Sequence, residues 1–242
     1  MGADLTKELK ETLISRGADL VGIGSLEKLS KEVRCGLPIG VSVAVKYPKK
    51  IIQGISELPT QSYKNWFDSL NEQLDNLVSV GAELLQSYGY QAVAQTMAQV
   101  GAHGDECCTT LPHKTIATRA GIGWVGKCAL LVTKQYGSMV RLSSILTNAP
   151  LEISEPINES MCGNCMACVD ACPAGAIYGK SWNPSLSRDD LFDYQQCRTM
   201  AQNRSEQGFG QRVTLCGKCI EICPYTQRYL KSKDDAAAMD RQ

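Results

Sequence analysis

The stretch CGNCMACVDACP, residues 162–173, reads C-x2-C-x2-C-x3-C-P through Cys162, Cys165, Cys168 and Cys172 and closes on Pro173. Bacterial ferredoxins use this spacing: three closely spaced thiolates grip one iron–sulfur cubane, and the fourth reaches across to a second. Further along, CGKCIEICP (216–224) supplies Cys216, Cys219 and Cys223 before Pro224, and Cys197 stands upstream. Three plus one, twice over, makes two ligand sets for [4Fe–4S] clusters. The expected sorting is Cys162, Cys165, Cys168 and Cys223 on one cluster, with Cys172, Cys197, Cys216 and Cys219 on the other. A structural zinc site competes for any C-x2-C pair, but zinc has no need of the x3-C-P ending that both runs carry. Such clusters pass one electron at a time, so this region is expected to relay electrons.

Working outward, the chain has 242 residues and 12 cysteines, far above ordinary usage. The N-terminal segment MGADLTKELKETLISRGADLVGIG is charged and broken by Gly17, unlike a signal peptide, and no apolar run is long enough to span a bilayer. A cytoplasmic location is expected, with no membrane partner, and there cysteine density argues for metal ligation over disulfides. Twenty-five basic and 25 acidic residues cancel, which removes any global attraction for nucleic acid. Cys35, Cys107, Cys108 and Cys128 fall outside the framework and read as reduced thiols. The vicinal pair Cys107–Cys108, beside His103, Asp105 and Glu106, is the one with a metal-binding or redox alternative.

The remaining pattern predicts an α+β layer. Leu5–Arg16 is helical, DLVGIG (19–24) is strand-like, and GVSVAVKY (40–47) alternates as a half-buried strand. Thr60 can cap a long helix whose core stripe is Trp66, Leu70, Leu74, Leu77, Leu84 and Tyr88, ending near Gly89. YQAVAQT (90–96) is a strand and HKTIATRAG (113–121) a short helix. CALLVT (128–133) and SMVRLSSILT (138–147) are two strands joined across a turn at Tyr136–Gly137. The polar, proline-containing EISEPINES (152–160) reads as a linker. The expected organisation is an α+β domain over 1–154, a cluster domain over 155–230 and a polar tail over 231–242.

RAGIGWVGK (119–127) contains G-x-G-x-x-G through Gly121, Gly123 and Gly126. A dinucleotide fingerprint follows a strand and opens a helix, whereas these glycines end a helix and lead into a strand. Gly121 is better placed as a left-handed residue closing that helix.

The longer run RAGIGWVGKCALLVTKQYGSMVRLSSILTNAPL (119–151), followed by the double-cluster cysteines, resembles the epoxyqueuosine reductases and, more distantly, the reductive dehalogenases. The resemblance implies a nitroreductase-like domain holding base-off cobalamin under a ferredoxin-like domain. Its cobalt, reduced to Co(I) by the clusters, would drive reductive elimination from a small molecule or modified nucleoside, with an external ferredoxin or flavodoxin as electron donor. Arg119, Gly121, Gly123, Trp124, Gly126 and Lys127 would then form the floor of the corrinoid pocket.

Two departures qualify what carries over. The family's acidic proton donor lies in a run resembling Asp-Ser-Ala-Pro; counting back from Gly121, this chain has Cys107-Cys108-Thr109-Thr110 there, and His113-Lys114 replace the following Glu-Arg pair. Asp105, Glu106 and His113 are the substitute candidates, His113 because an ordinary imidazole titrates near neutrality. The longer reductases also continue into helical repeats that hold tRNA; this chain stops soon after Cys223, and with zero net charge tRNA is disfavoured as a partner. Two alternatives stand beside a corrinoid reductase: an electron-transfer protein without its own substrate, such as an activator of a corrinoid protein, and a variant that binds flavin.

Overall fold

A computed structural model describes residues 2–100 and 109–232. Helix α1 (Gly2–Ser15) leads into β1 (Leu20–Ser25), β2 (Ile39–Lys46) and the short α2 (Lys49–Gln53). The long α3 (Gln61–Ser87) follows; Thr60 caps it by accepting from the Tyr63 amide at 3.2 Å. Next come β3 (Ala92–Ala94), α4 (Met97–Val100), α5 (His113–Arg119), β4 (Gly123–Val125), β5 (Leu131–Thr133) and β6 (Val140–Thr147). The cysteine-rich region adds α6 (Ala167–Asp170), α7 (Tyr194–Phe209), α8 (Lys218–Glu221) and α9 (Pro224–Lys231).

The main sheet is antiparallel in the order β1-β2-β6-β3, and β4 and β5 form a separate hairpin. Period-two alternation sorts β2 between two layers. Val41, Val43 and Val45 pack with Leu9 and Leu13 of α1 and Leu70, Leu74 and Leu77 of α3. Each such leucine contributes about 1.5–3 kcal/mol by leaving water. The opposite face carries Gly40, Ser42 and Ala44, and α5 covers it through Ile116, which joins Leu26 and Leu146 in a smaller core. So β2 is buried on both faces and not half-buried as its alternation suggested.

CALLVT and SMVRLSSILT do not pair with each other: β5 pairs with β4, and β6 lies between β2 and β3. Tyr88 leaves the expected core stripe, being 53% exposed with its hydroxyl on Glu8 at 2.7 Å. The linker is strapped along the first layer, Ser154 N donating to Ile23 O at 2.7 Å and Ile157 N to Thr118 O at 2.9 Å. Leu215, Tyr229 and Leu230, from the cysteine-rich region, join the main core.

Helix α5 reaches β1 because β1 presents glycine to it. A Cβ on Gly24 would stand 2.3 Å from the Arg119 carbonyl, so any side chain there forces the helix off the sheet. Gly24→Ala is therefore expected to destabilise the fold by about 1–3 kcal/mol, as overpacking does. A urea titration should show a lower midpoint with an unchanged slope; an unchanged midpoint would mean that α5 does not rest on β1.

Candidate functional site: two thiol sets and the cavity beside them

The first thiol set is assembled by tight turns. Cys165 N donates to Cys162 O at 3.1 Å across left-handed Gly163, and Cys168 then enters α6. Cys223 is the N-cap of α9, whose first residue, Pro224, needs no amide partner at that position. That is the physical use of the C-P ending in the second run. Cys162, Cys165, Cys168 and Cys223 surround a cavity of about 70 Å³ that Cys219, Lys127 and Cys128 also line.

The second set gathers around Cys197 on α7, held by the Asp193 cap accepting from Gln196 N at 3.0 Å. Burial pushes the Cys197 thiol up to about 11, and the neighbouring Cys172 and Cys216 add to it. Cys223 faces Cys162 in the same way. Cys197 thus lies beside Cys172 and Cys216, while Cys219 lines the cavity of the first set as well as the larger one.

Among the described residues no three His, Cys, Asp or Glu side chains converge as a single ion requires. A cubane differs, because each thiolate binds a separate iron corner and the thiols must ring a void. The ring also contains a buried cation. Lys127 is 5% exposed, and among the described residues its ammonium donates to the Met166 thioether, a weak acceptor, at 3.5 Å. A buried ammonium requires negative charge nearby, and a thiolate-bound cluster in that cavity provides it. Trp124, fully buried, points its indole N–H at Cys162 Sγ at 3.5 Å and packs edge-on against Tyr225 at 4.9 Å.

A second, larger cavity of about 430 Å³ opens beside Cys197, Cys216 and Cys219. Its other wall comes from the first layer: Tyr47, Tyr63, His113, Lys114, Ser138 and Arg141. Arg141 is pinned by two hydrogen bonds to Asn71 Oδ1, at 3.0 and 2.8 Å, with its guanidinium 4.1 Å from the Phe67 ring centre. Burial pushes Tyr47 up to about 12 and Tyr63 well above the usual phenol value, so both hold their protons near neutrality. Ser138 Oγ is buried there without a hydrogen-bond partner, a group a bound molecule would satisfy.

Several expected site residues lie elsewhere. Asp105 and Glu106, with His103, Cys107 and Cys108, fall outside the described residues. His113 does reach the large cavity, its Nδ1 2.8 Å from Ser144 Oγ. The neutral-range titration expected of it is wrong, because burial, and then the Arg141 guanidinium, hold its imidazole down at about 4. Arg119, Gly121, Gly123, Trp124, Gly126 and Lys127 do not line the large cavity. Gly121 takes φ +68° as expected and lies against the linker, where its Cβ would meet Glu155 O at 2.8 Å. Gly123 and Gly126 pack on Val132 of the hairpin, and Arg119 donates to Ile157 O at 3.2 Å and to the Asn158 side chain. This segment forms a wall of the first thiol set and an anchor for the linker. Arg141, Tyr47, Tyr63 and Ser138 escaped sequence reasoning; an arginine inside the otherwise uncharged SMVRLSSILT was the one readable signal.

Residues 161–226, enclosing all eight framework cysteines, match the family described as 4Fe-4S double cluster binding domain. The chain carries a double-cluster domain. It is similar to the epoxyqueuosine reductase of Listeria monocytogenes, 37% identical over 118 residues, covering 48% of this chain and 30% of that one. The Bacillus subtilis reductase is 30% identical over 195 residues, 76% of this chain and 46% of that one; the Staphylococcus aureus reductase is 24% identical over 96% of this chain and 61% of that one. This chain spans between about a third and three fifths of these relatives' lengths. Two solved structures share the fold across 93% of the chain. A catabolic reductive dehalogenase in complex with 3-bromo-4-hydroxybenzoic acid has TM-score 0.73 at 18% identity, with 32% of that chain covered. An epoxyqueuosine reductase with an epoxyqueuosine-modified tRNA stem loop has TM-score 0.60 at 24%, with 66% covered. A net charge of zero is a sum over the whole chain and does not describe the local surface that would meet a phosphate backbone, so by itself it is no argument against tRNA. No described helix is long and apolar enough to cross a membrane.

With a depressed pKa, His113 stays neutral from neutrality down to about pH 4. Proton NMR titration of the imidazole resonances, with His103→Gln used for assignment, should place the His113 midpoint near 4. A midpoint at the ordinary value of about 6.5 would refute the buried, Arg141-facing placement.

Proposed function

We propose that the chain is a corrinoid-dependent iron–sulfur oxidoreductase of the epoxyqueuosine reductase type, acting on a small organic molecule or a modified nucleoside. One observation carries the reading: the second thiol set opens onto the same 430 Å³ cavity as Arg141, His113 and the unpartnered Ser138 hydroxyl. An electron source and a polar binding surface share one void, and its size suits an organic ligand. A bare electron relay has no use for that void, which disfavours the reading without a substrate. Support for the corrinoid comes from a solved structure of this fold, a reductive dehalogenase described as suggesting a mechanism for B12-dependent dehalogenation, with TM-score 0.72 at 18% identity.

A corrinoid supplies two-electron reductive chemistry that no side chain can perform. The chain's own residues bind, orient and hold protons. Arg141, immobilised by Asn71 and Phe67, offers a fixed positive charge to an anionic group of cofactor or substrate. Ser138 offers a hydroxyl for a buried polar atom. His113, neutral and tied to Ser144, serves as a hydrogen-bonding group and not as a charged acid. Tyr47 and Tyr63 keep phenolic protons at the cavity wall. An external ferredoxin or flavodoxin is the electron donor in this scheme, and tRNA stands again as a carrier for a nucleoside substrate.

The test is an anaerobic titration of the cluster-loaded protein with cob(II)alamin and, separately, flavin, followed by optical and EPR spectra. A base-off cob(II)alamin signal is expected, with Arg141→Gln weakening binding by at least about tenfold, since a hydrogen bond to a charged group contributes about 1.5–3 kcal/mol. Flavin binding with no base-off signal would replace the corrinoid reading by the flavin one.

A further inference from the structure

Among the described residues Trp124 is the largest fully buried side chain, and its one polar atom, the indole N–H, can donate but not accept. That N–H donates to Cys162 Sγ at 3.5 Å. At 0% exposure water does not compete for it, so the sulfur alone spares the ring an unsatisfied buried donor. A neutral thiol is a weak acceptor, whereas a cluster-bound thiolate carries negative charge and accepts more strongly.

The indole is held in this orientation from several sides. Trp124 pairs with Val132 across the hairpin, and a Cβ on neighbouring Gly123 would stand 2.2 Å from Val132 O, which shows how closely the two strands lie. Tyr225 packs edge-on against the indole at 4.9 Å and donates its hydroxyl to Met161 O at 3.5 Å. Cys162 and Cys223, the first and last ligands of the first set, both pack on the apolar cluster that Trp124 forms with Val125, Val132 and Leu191. Lys127 brings its charge to the same cavity, but a charge acts over distance, while the indole acts on one sulfur.

We propose that Trp124 sets the potential of the first cluster: its indole N–H hydrogen-bonds the Cys162 thiolate and raises the reduction potential of that cluster while leaving the second unchanged. The proposal rests on the two-cluster reading and needs no corrinoid. A hydrogen bond to a ligand sulfur favours the reduced form, because reduction adds negative charge that the donor stabilises. In the reduction one electron passes from the external donor to the cluster, and the indole proton stays on its nitrogen.

The experiment uses the full chain, reconstituted without oxygen, as wild type, Trp124→Phe and Leu191→Ala. Iron is counted and both midpoints are read by EPR-monitored potentiometric titration with no substrate present; Cys197→Ser, by losing or altering the second cluster, assigns the two signals. Trp124→Phe keeps an aromatic ring but no N–H, and should lower the first midpoint by up to a tenfold change in the reduction equilibrium, about 59 mV for one electron. Leu191→Ala thins the same apolar cluster but keeps the N–H, and should leave both midpoints in place. An unchanged first midpoint in Trp124→Phe, an equal shift in Leu191→Ala, or a joint shift of both clusters would overturn the proposal. Should Trp124→Phe fail to hold its cluster, pulsed EPR decides. Reduced Trp182→Phe protein labelled with ¹⁵N in its indoles keeps only Trp124 and Trp66, which packs on the main core, and is expected to show ¹⁵N coupling to the first cluster. Absence of that coupling would overturn the proposal by itself. About eight irons per wild-type chain are expected, and about four or fewer would instead refute the two-cluster reading before any variant is compared.

Discussion

Everything at the site depends on how closely helix α5 lies on strand β1. That approach needs glycine in β1, since a Cβ on Gly22 or Gly24 would stand 2.5 or 2.3 Å from the helix backbone. The seated helix presents His113 to the large cavity at its N-terminal end. Its C-terminal end releases the chain through left-handed Gly121 into the hairpin that bears Trp124, Lys127 and Cys128. One backbone contact thus positions groups at both cavities, and a shift of the helix would move both.

The two cavities differ in electrostatic character. Around the first thiol set, Lys127 and the indole of Trp124 point positive ends at sulfur, an arrangement suited to a buried anionic cluster. Around the second cavity stand Lys114, tied to the Ala129 carbonyl, and Arg141, whose guanidinium helps keep His113 neutral. Protons there reside on phenols, not on imidazolium. Burial dictates this division: desolvation penalises every ionised form, so charge survives only where it is pinned or compensated.

Much of the fold was legible in the sequence because it is encoded locally. The Thr60 cap, the leucine stripe of α3 and the left-handed closure at Gly121 are short-range signals, and each stands where its pattern places it. Strand pairing was not legible. CALLVT and SMVRLSSILT are adjacent in the chain, but β5 turns back on β4 while β6 enters the main sheet, a choice made by which apolar faces find cover. Likewise, β2 shows a half-buried alternation, yet its Gly, Ser and Ala face is covered because small residues admit a helix.

The sequence by itself determined the cysteine framework. Thiol spacing of two or three residues acts over a turn or two of chain, and the prolines after Cys172 and Cys223 add a further local restraint. What faces the clusters and what faces the large cavity only the tertiary structure decided. The glycine-rich segment 119–127 reads on its own as a helix closure leading into a strand, and it lies along the first thiol set because α5 turns it toward Cys162. Arg141, Tyr47 and Ser138 meet from separate points along the chain. No spacing rule joins residues so far apart in sequence; their meeting follows from strand order and from the burial that fixes it.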